Sequence, residues 1–184
     1  MIATLTEIKE LLKITNTTND TMIDALILII QDDILSFLRN KFLTEIEIQE
    51  NTISFTGNSI LDSGSGFVNA GFVVGDIVVQ DSKLNNNFYT VTNVTAGTLT
   101  VSELLYIETA ENTIKINQVI FPSSLKLIMA NMIGFTMNNK HGVKSETFSR
   151  YSVNYGSDIS SLINGYPDTI TRPLLKYRKV YNDY

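Results

Sequence analysis

The spacing of apolar residues changes period twice along these 184 residues, and that switch constrains the fold more than any other feature. Ile23, Leu26, Ile27, Ile30, Ile34, Phe37 and Leu38 recur at steps of three and four, the repeat of an amphipathic helix. The spacing predicts a helix over about Thr21 to Arg39, with Asn40 as its C-cap. A shorter helix precedes it, about Leu5 to Lys13, with Leu5, Ile8, Leu11 and Leu12 on one face. Thr4 and Glu7 form a capping box there: the hydroxyl serves the Glu7 amide and the carboxylate reaches back.

From residue 44 the period falls to two. Glu45–Ile48 and Thr52–Phe55 alternate, and 76–79, 87–94, 98–101 and 113–116 are rich in β-branched and aromatic residues. Six of the ten glycines lie between residues 57 and 97, at the turns. The helical period returns after Pro122. A third helix is predicted to open at Ser123 and close at Asn138-Asn139, apolar around much of its girth. Beyond it, 140–156 alternates as an arm or hairpin, 157–165 reads as a short helix, and a terminal helix starts near Thr169 or Thr171. Pro173 is tolerable only in its first turn.

The expected fold is α+β: a small helical bundle of two N-terminal helices, a long third helix and a C-terminal helix, with an inserted antiparallel β barrel or sandwich and an extended arm. Residues 1–43 and 119–184 would form the helical domain and 44–118 the inserted β module.

Composition narrows the chemistry. There is no cysteine, hence no disulfide framework, thiolate metal site or cysteine nucleophile. The single histidine, His141, sits in a polar stretch with no serine or aspartate arrangement around it. Asp32 and Asp33 are sequence neighbours on a helix, so they diverge. Asp62, Asp76 and Asp81 do not follow a calcium-loop spacing, and Gly64-Ser65-Gly66 lacks the lysine of a phosphate loop. No enzymatic activity, cofactor or metal is therefore expected. Neither a leader nor a spanning segment is expected: residues 1–10 carry Glu7, Lys9 and Glu10, and the apolar run Ala25–Ile30 is far short of the ~20 residues a bilayer requires.

Charge is uneven. Residues 1–139 hold seven Lys/Arg against fifteen Asp/Glu, and residues 140–184 hold seven against four. The acidic bulk disfavours phosphate binding. Six of the eight tyrosines lie after residue 150, interleaved with Arg and Lys, and Tyr and Arg are favoured at protein interfaces.

Three stretches carry a resemblance. Leu5–Ile14, a polar turn and then Asp24–Phe42 form a short helix followed by a long one ending in a basic–aromatic pair. Lys144 to Tyr155 contains Ser-Glu and Tyr-Ser-Val-Asn-Tyr. Tyr166-Pro167 precedes Leu174-Leu175-Lys176-Tyr177-Arg178-Lys179. In this order they resemble the bacteriophage head-tail connector family, while the β module departs from that family's briefer helix connection. The resemblance implies a subunit of a dodecameric ring beneath the portal protein, joining capsid to tail and continuing the DNA channel without sequence-specific contact. It also implies a tail-side stopper or tail-completion partner, no membrane, and a place in the virion after assembly in the host cytoplasm. The portal-facing residues would be Arg172, Lys176, Tyr177, Arg178 and Tyr181. The inter-subunit arm would carry Phe148, Arg150, Tyr151, Val153 and Tyr155. The alternative is a virion accessory protein whose β module binds a glycan or another virion protein.

Overall fold

The computed structural model describes residues 1–138, 145–148, 151–154, 162–163 and 165–179, with 145–148 and 151–154 described as backbone only. The chain divides into two compact units: Lys41–Phe121 with Met1, and Ile2–Asn40 with Pro122–Tyr184.

In the second unit, α1 (Leu5–Leu12) starts at the capping box: the Glu7 amide donates to Thr4 Oγ1 at 3.3 Å and the Thr4 amide donates to Glu7 Oε2 at 2.9 Å. α2 (Asp20–Leu38) buries Ile23, Ile27, Ile30, Gln31, Ile34 and Leu38 along one face. Gln31 is the polar member of that row, and its Oε1 accepts the Ile2 amide at 2.8 Å. Arg39, in the left-handed region, closes α2 rather than Asn40. Asn40 instead donates through Nδ2 to the Tyr177 carbonyl at 3.1 Å.

The first unit is one seven-stranded antiparallel sheet. Its strands are β1 (Leu43–Glu50), β2 (Ile53–Thr56), β3 (Ser59–Asp62), β4 (Gly75–Gln80), β5 (Phe88–Val94), β6 (Thr98–Val101) and β7 (Ile114–Val119). Their order is β1-β7-β4-β5-β6-β3-β2. A four-residue helix, α3 (Phe67–Ala70), lies between β3 and β4. Phe67, fully buried, packs edge-on against Phe72. The core gathers Phe55, Ile77, Val91, Leu99 and Ile116 around these rings.

α4 (Ser124–Asn138) returns the chain to the helical unit and packs against both α1 and α2. It buries Leu125, Ile128, Met129, Ala130, Met132 and Ile133. β8 (Ser145–Phe148) and β9 (Tyr151–Asn154) form a separate two-stranded antiparallel sheet. α5 (Asp168–Thr171) then runs directly into a 3-10 stretch, Arg172–Tyr177.

The expected architecture needs correcting in three respects. The third helix is not long: it is α3, inside the β module, too short for a helical period to show in its sequence. The long helix after the module is the fourth, and its 15 residues are fewer than the 19 of α2. The terminal helix is one α turn continued as 3-10, because Pro173 has no amide to donate to an α ladder.

Nor is the sheet a closed barrel or a sandwich. All seven strands share one open sheet, with β1 and β2 as its edges. Those edges belong to strands only two residues apart in sequence, so the sheet curls strongly without a β1–β2 ladder. The outer edge of β2 is already occupied: Phe55 exchanges backbone hydrogen bonds of 2.8 and 3.1 Å with Glu108.

Candidate functional site

Glu108 also organises the most elaborate polar contact of the β module. Its carboxylate is buried and accepts from Ser82 Oγ at 2.6 Å, the Lys83 amide at 2.8 Å, Asn85 Nδ2 at 3.1 Å and the Leu84 amide at 3.3 Å. Burial alone would push the Glu108 carboxyl up; the donors from Ser82, Lys83, Leu84 and Asn85 overcome this and hold it below the usual carboxylate range. Asn85 adds two bonds to Tyr106, donating to its carbonyl at 3.0 Å and accepting its amide at 2.9 Å. The loop after β4 is thereby clasped to the segment between β6 and β7.

The clasp fixes which side chains point out. Leu105 is buried and its amide donates to the Gly57 carbonyl at 2.7 Å, while Glu108 turns inward three residues later. Between and beside these anchors, Leu104 is 87% exposed and Ile107 77% exposed, with Tyr106 and Leu84 also exposed. Four large apolar side chains thus stand in solvent on backbone that is hydrogen-bonded in place. Asp81, Glu103 and Glu111 lie beside them in sequence, and the nearby Lys83 is paired with Glu111 at 3.0 Å.

The helical unit offers two further apolar surfaces. α2 has an outward row of Met22, Ala25, Leu28 and Ile29 in addition to its buried one, with Leu28 and Ile29 each 57% exposed. Asp32 and Asp33 continue that row. Burial, then the neighbouring Asp32 charge, raises the Asp33 carboxyl above its usual value. The second surface is an exposed pair, Leu11 and Leu127, over the seam where Lys126 Nζ meets Glu7 Oε1 at 2.5 Å. Lys9, two residues before Leu11 and so on the opposite side of α1, pairs with Asp20 of α2 at 2.6 Å. The Leu11–Leu127 surface therefore faces away from the α1–α2 contact.

The residues expected at the portal are only partly turned outward. Leu174, between them, is fully buried. The Tyr177 hydroxyl shares a 2.5 Å hydrogen bond with Ser124 Oγ, and that bond, then the Lys176 ammonium, holds its phenol below the usual value. The Arg178 guanidinium stacks over Phe37 at 4.9 Å, and the Lys179 amide donates to the Leu38 carbonyl at 2.9 Å. Arg172 is exposed and forks onto Asp168, with Nη2 at 2.6 Å and Nε at 2.9 Å. Lys176 is exposed and lies 4.6 Å from the Tyr177 ring. Tyr181 lies outside the described residues. Of the arm, Phe148 closes β8 and pairs in register with Tyr151, and Val153 pairs with Glu146, while Arg150 and Tyr155 lie outside the described residues. His141 does too, as does most of the short helix expected over 157–165.

Two of the three acidic candidates of the β module, Asp62 and Asp76, have structural partners. Asp62 accepts Thr52 Oγ1 at 2.6 Å and the Gly66 and Gly64 amides at 2.7 and 2.9 Å, which shapes the turn into α3. Asp76 accepts Thr90 Oγ1 at 3.1 Å. Among the described residues no group of three or more His, Cys, Asp or Glu side chains is placed to hold a metal ion. No helix among them is long and apolar enough to cross a membrane.

The clasped loops escaped the sequence reading. Leu104-Leu105-Tyr106-Ile107 is apolar without alternation, so no period assigns its faces, and the Ser82–Glu108 contact joins residues 26 apart. Comparison with protein-family models finds no match, nor does any curated protein match the chain, so the resemblance to head-tail connectors rests on the residues that carry it.

Proposed function

We propose that this chain is a structural subunit of a bacteriophage head-to-tail connector, forming a dodecameric ring beneath the portal that joins capsid to tail and continues the DNA channel. The observation that carries the reading is the pair of unlike apolar surfaces on one helical unit: the Met22–Ile29 row of α2 and the Leu11–Leu127 patch over the α1–α4 seam. A closed ring requires a heterologous contact, in which one patch of a subunit meets a different patch of the next. Here α2 of one copy would pack on the Leu11–Leu127 surface of its neighbour. The closing segment supports portal docking through its outward basic groups, Arg172 and Lys176, with Leu175 exposed between them. Tail-side contacts would fall to a stopper or tail-completion protein, and the subunit would act in the virion without catalysis.

The test is the full chain mixed with its assembled cognate portal, followed by sedimentation and negative-stain microscopy. A closed ring of this chain seated on the portal is expected. Leu28→Ser with Ile29→Ser should leave a folded monomer that no longer rings the portal. A wild-type chain that stays monomeric beside assembled portal would overturn the reading.

A further inference from the structure

We infer that the clasped loops of the β module are a docking platform for a second protein, one that presents an aliphatic anchor set among Lys and Arg side chains. Three observations carry this. Leu84, Leu104, Tyr106 and Ile107 are all exposed, and three of them crowd one short segment. Isolated surface leucines are ordinary, but four exposed large side chains on two loops hydrogen-bonded to each other point to an interaction surface.

The backbone that presents them is held at both ends, by the buried Glu108–Ser82–Asn85 network and by the Leu105–Gly57 bond. Loops ordered before binding lose little conformational entropy when a partner arrives.

Charge identifies the partner. Lys41–Phe121 contains three lysines and no arginine against nine Asp and Glu, a balance of −6. Asp81, Glu103 and Glu111 lie beside the platform residues in sequence; Lys83 offsets Glu111, while among the described residues Asp81 and Glu103 have no Lys or Arg partner. A second copy brought platform to platform would set −6 against −6. An anionic lipid surface would be repelled in the same way. A basic rim around an aliphatic anchor matches both the charge and the apolar centre. The inference does not depend on the connector reading, and a ring could assemble whether or not it holds.

The experiment uses the full chain and a labelled synthetic peptide with leucines set among lysines, read by fluorescence anisotropy at ~50 mM salt, well below physiological screening. Peptides with serine for leucine and with glutamate for lysine serve as controls. The lysine–leucine peptide should bind, and each control should bind about tenfold more weakly or not at all. Tyr106→Ser with Ile107→Ser should weaken binding by about tenfold or more, as loss of a central anchor does, while the thermal midpoint stays unchanged because both side chains are exposed. Asp81→Asn with Glu111→Gln should weaken binding several-fold and flatten its salt dependence. Asparagine suits the left-handed backbone of Asp81, so that pair should fold. Three results would overturn the inference. One is no binding to wild type, or equal binding to the Tyr106/Ile107 variant. Another is flotation with neutral phosphatidylcholine vesicles that the variant loses. The third is self-association of the wild-type chain that the variant abolishes.

Discussion

Ser82 Oγ donates to Glu108 Oε2 at 2.6 Å across 26 residues of sequence, and both groups are buried. Glu108→Ala would take the acceptor from the Ser82 hydroxyl and the Lys83 amide, and would leave Asn85 Nδ2 with only the Tyr106 carbonyl and the Leu84 amide with only Ser82 Oγ. Leaving a buried donor unpaired costs about 1–3 kcal/mol, and more where the lost partner is charged. The expected loss is about 3 kcal/mol, measured by urea unfolding. Loss of the clasp should also blunt binding at Leu104, Tyr106 and Ile107.

The same carboxylate sets an acid limit. Glu108 and Asp62 are both held below the usual range despite burial, because their hydrogen bonds favour the charged form. A depressed folded value means the unfolded chain binds its proton first as pH falls. Their contribution is complete above the unfolded value of about pH 4 and is lost as pH drops through the lower folded values. Stability measured from pH 7 to pH 2 should fall below about pH 4, and Glu108→Gln should start lower and fall less steeply.

Gly66 precedes α3 at a crowded point. A Cβ there would lie 2.7 Å from Ile48 Cδ1 and 3.2 Å from Asp62 Oδ2, the oxygen that accepts the Gly66 amide. Ile48 is itself in the core and has little room to withdraw. Gly66→Ala should therefore destabilise the module by roughly 1–3 kcal/mol, the range for overpacking, seen as a lower denaturation midpoint. Gly57, with nothing near its Cβ position but a φ of +57, should tolerate Asn better than Val.

Asp33 carries the opposite sign to Glu108. Burial and the Asp32 charge raise its carboxyl, so the folded state holds the proton more tightly than the unfolded chain. Its charge therefore opposes folding at pH 7, and the opposition disappears as pH falls through the raised value. Asp33→Asn should raise the thermal midpoint at pH 7. That gain should shrink to nothing at acid pH, where wild-type Asp33 is already neutral.

Local and periodic signals were legible. The Thr4–Glu7 box and the buried row of α2 depend on residues within one or two turns of each other, so spacing alone reveals them. Most strands of the β module announced themselves through β-branched runs between turns. β3 did not, because Ser59-Ile60-Leu61-Asp62 is short and abuts the Gly57-Asn58 turn. The open sheet was hidden because closure depends on which group takes the outer edge of β2, and that group, Glu108, lies over fifty residues away. The packing of the terminal segment is hidden from the sequence for a related reason. Its basic residues read as a free surface, but Leu174 and Tyr177 are engaged with their own unit.

That engagement decides how the terminus must be tested. Leu174 is fully buried, so deleting residues 172–184 removes part of the core along with any docking surface. Leu174→Ala alone should destabilise the helical unit by about 2–5 kcal/mol, the range for a leucine lost from a packed interior. A truncation that fails to bind portal would therefore not separate docking from unfolding. Arg172→Glu with Lys176→Glu makes that separation, since both side chains are exposed and neither supports the core. Their charge reversal should leave the circular dichroism spectrum intact, with at most a small change in midpoint from loss of the exposed Arg172–Asp168 pair. Portal binding should fall by about tenfold or more, as when opposed charges across an interface become like charges. Binding undiminished by that double reversal, in a folded chain, would remove Arg172 and Lys176 from the portal interface.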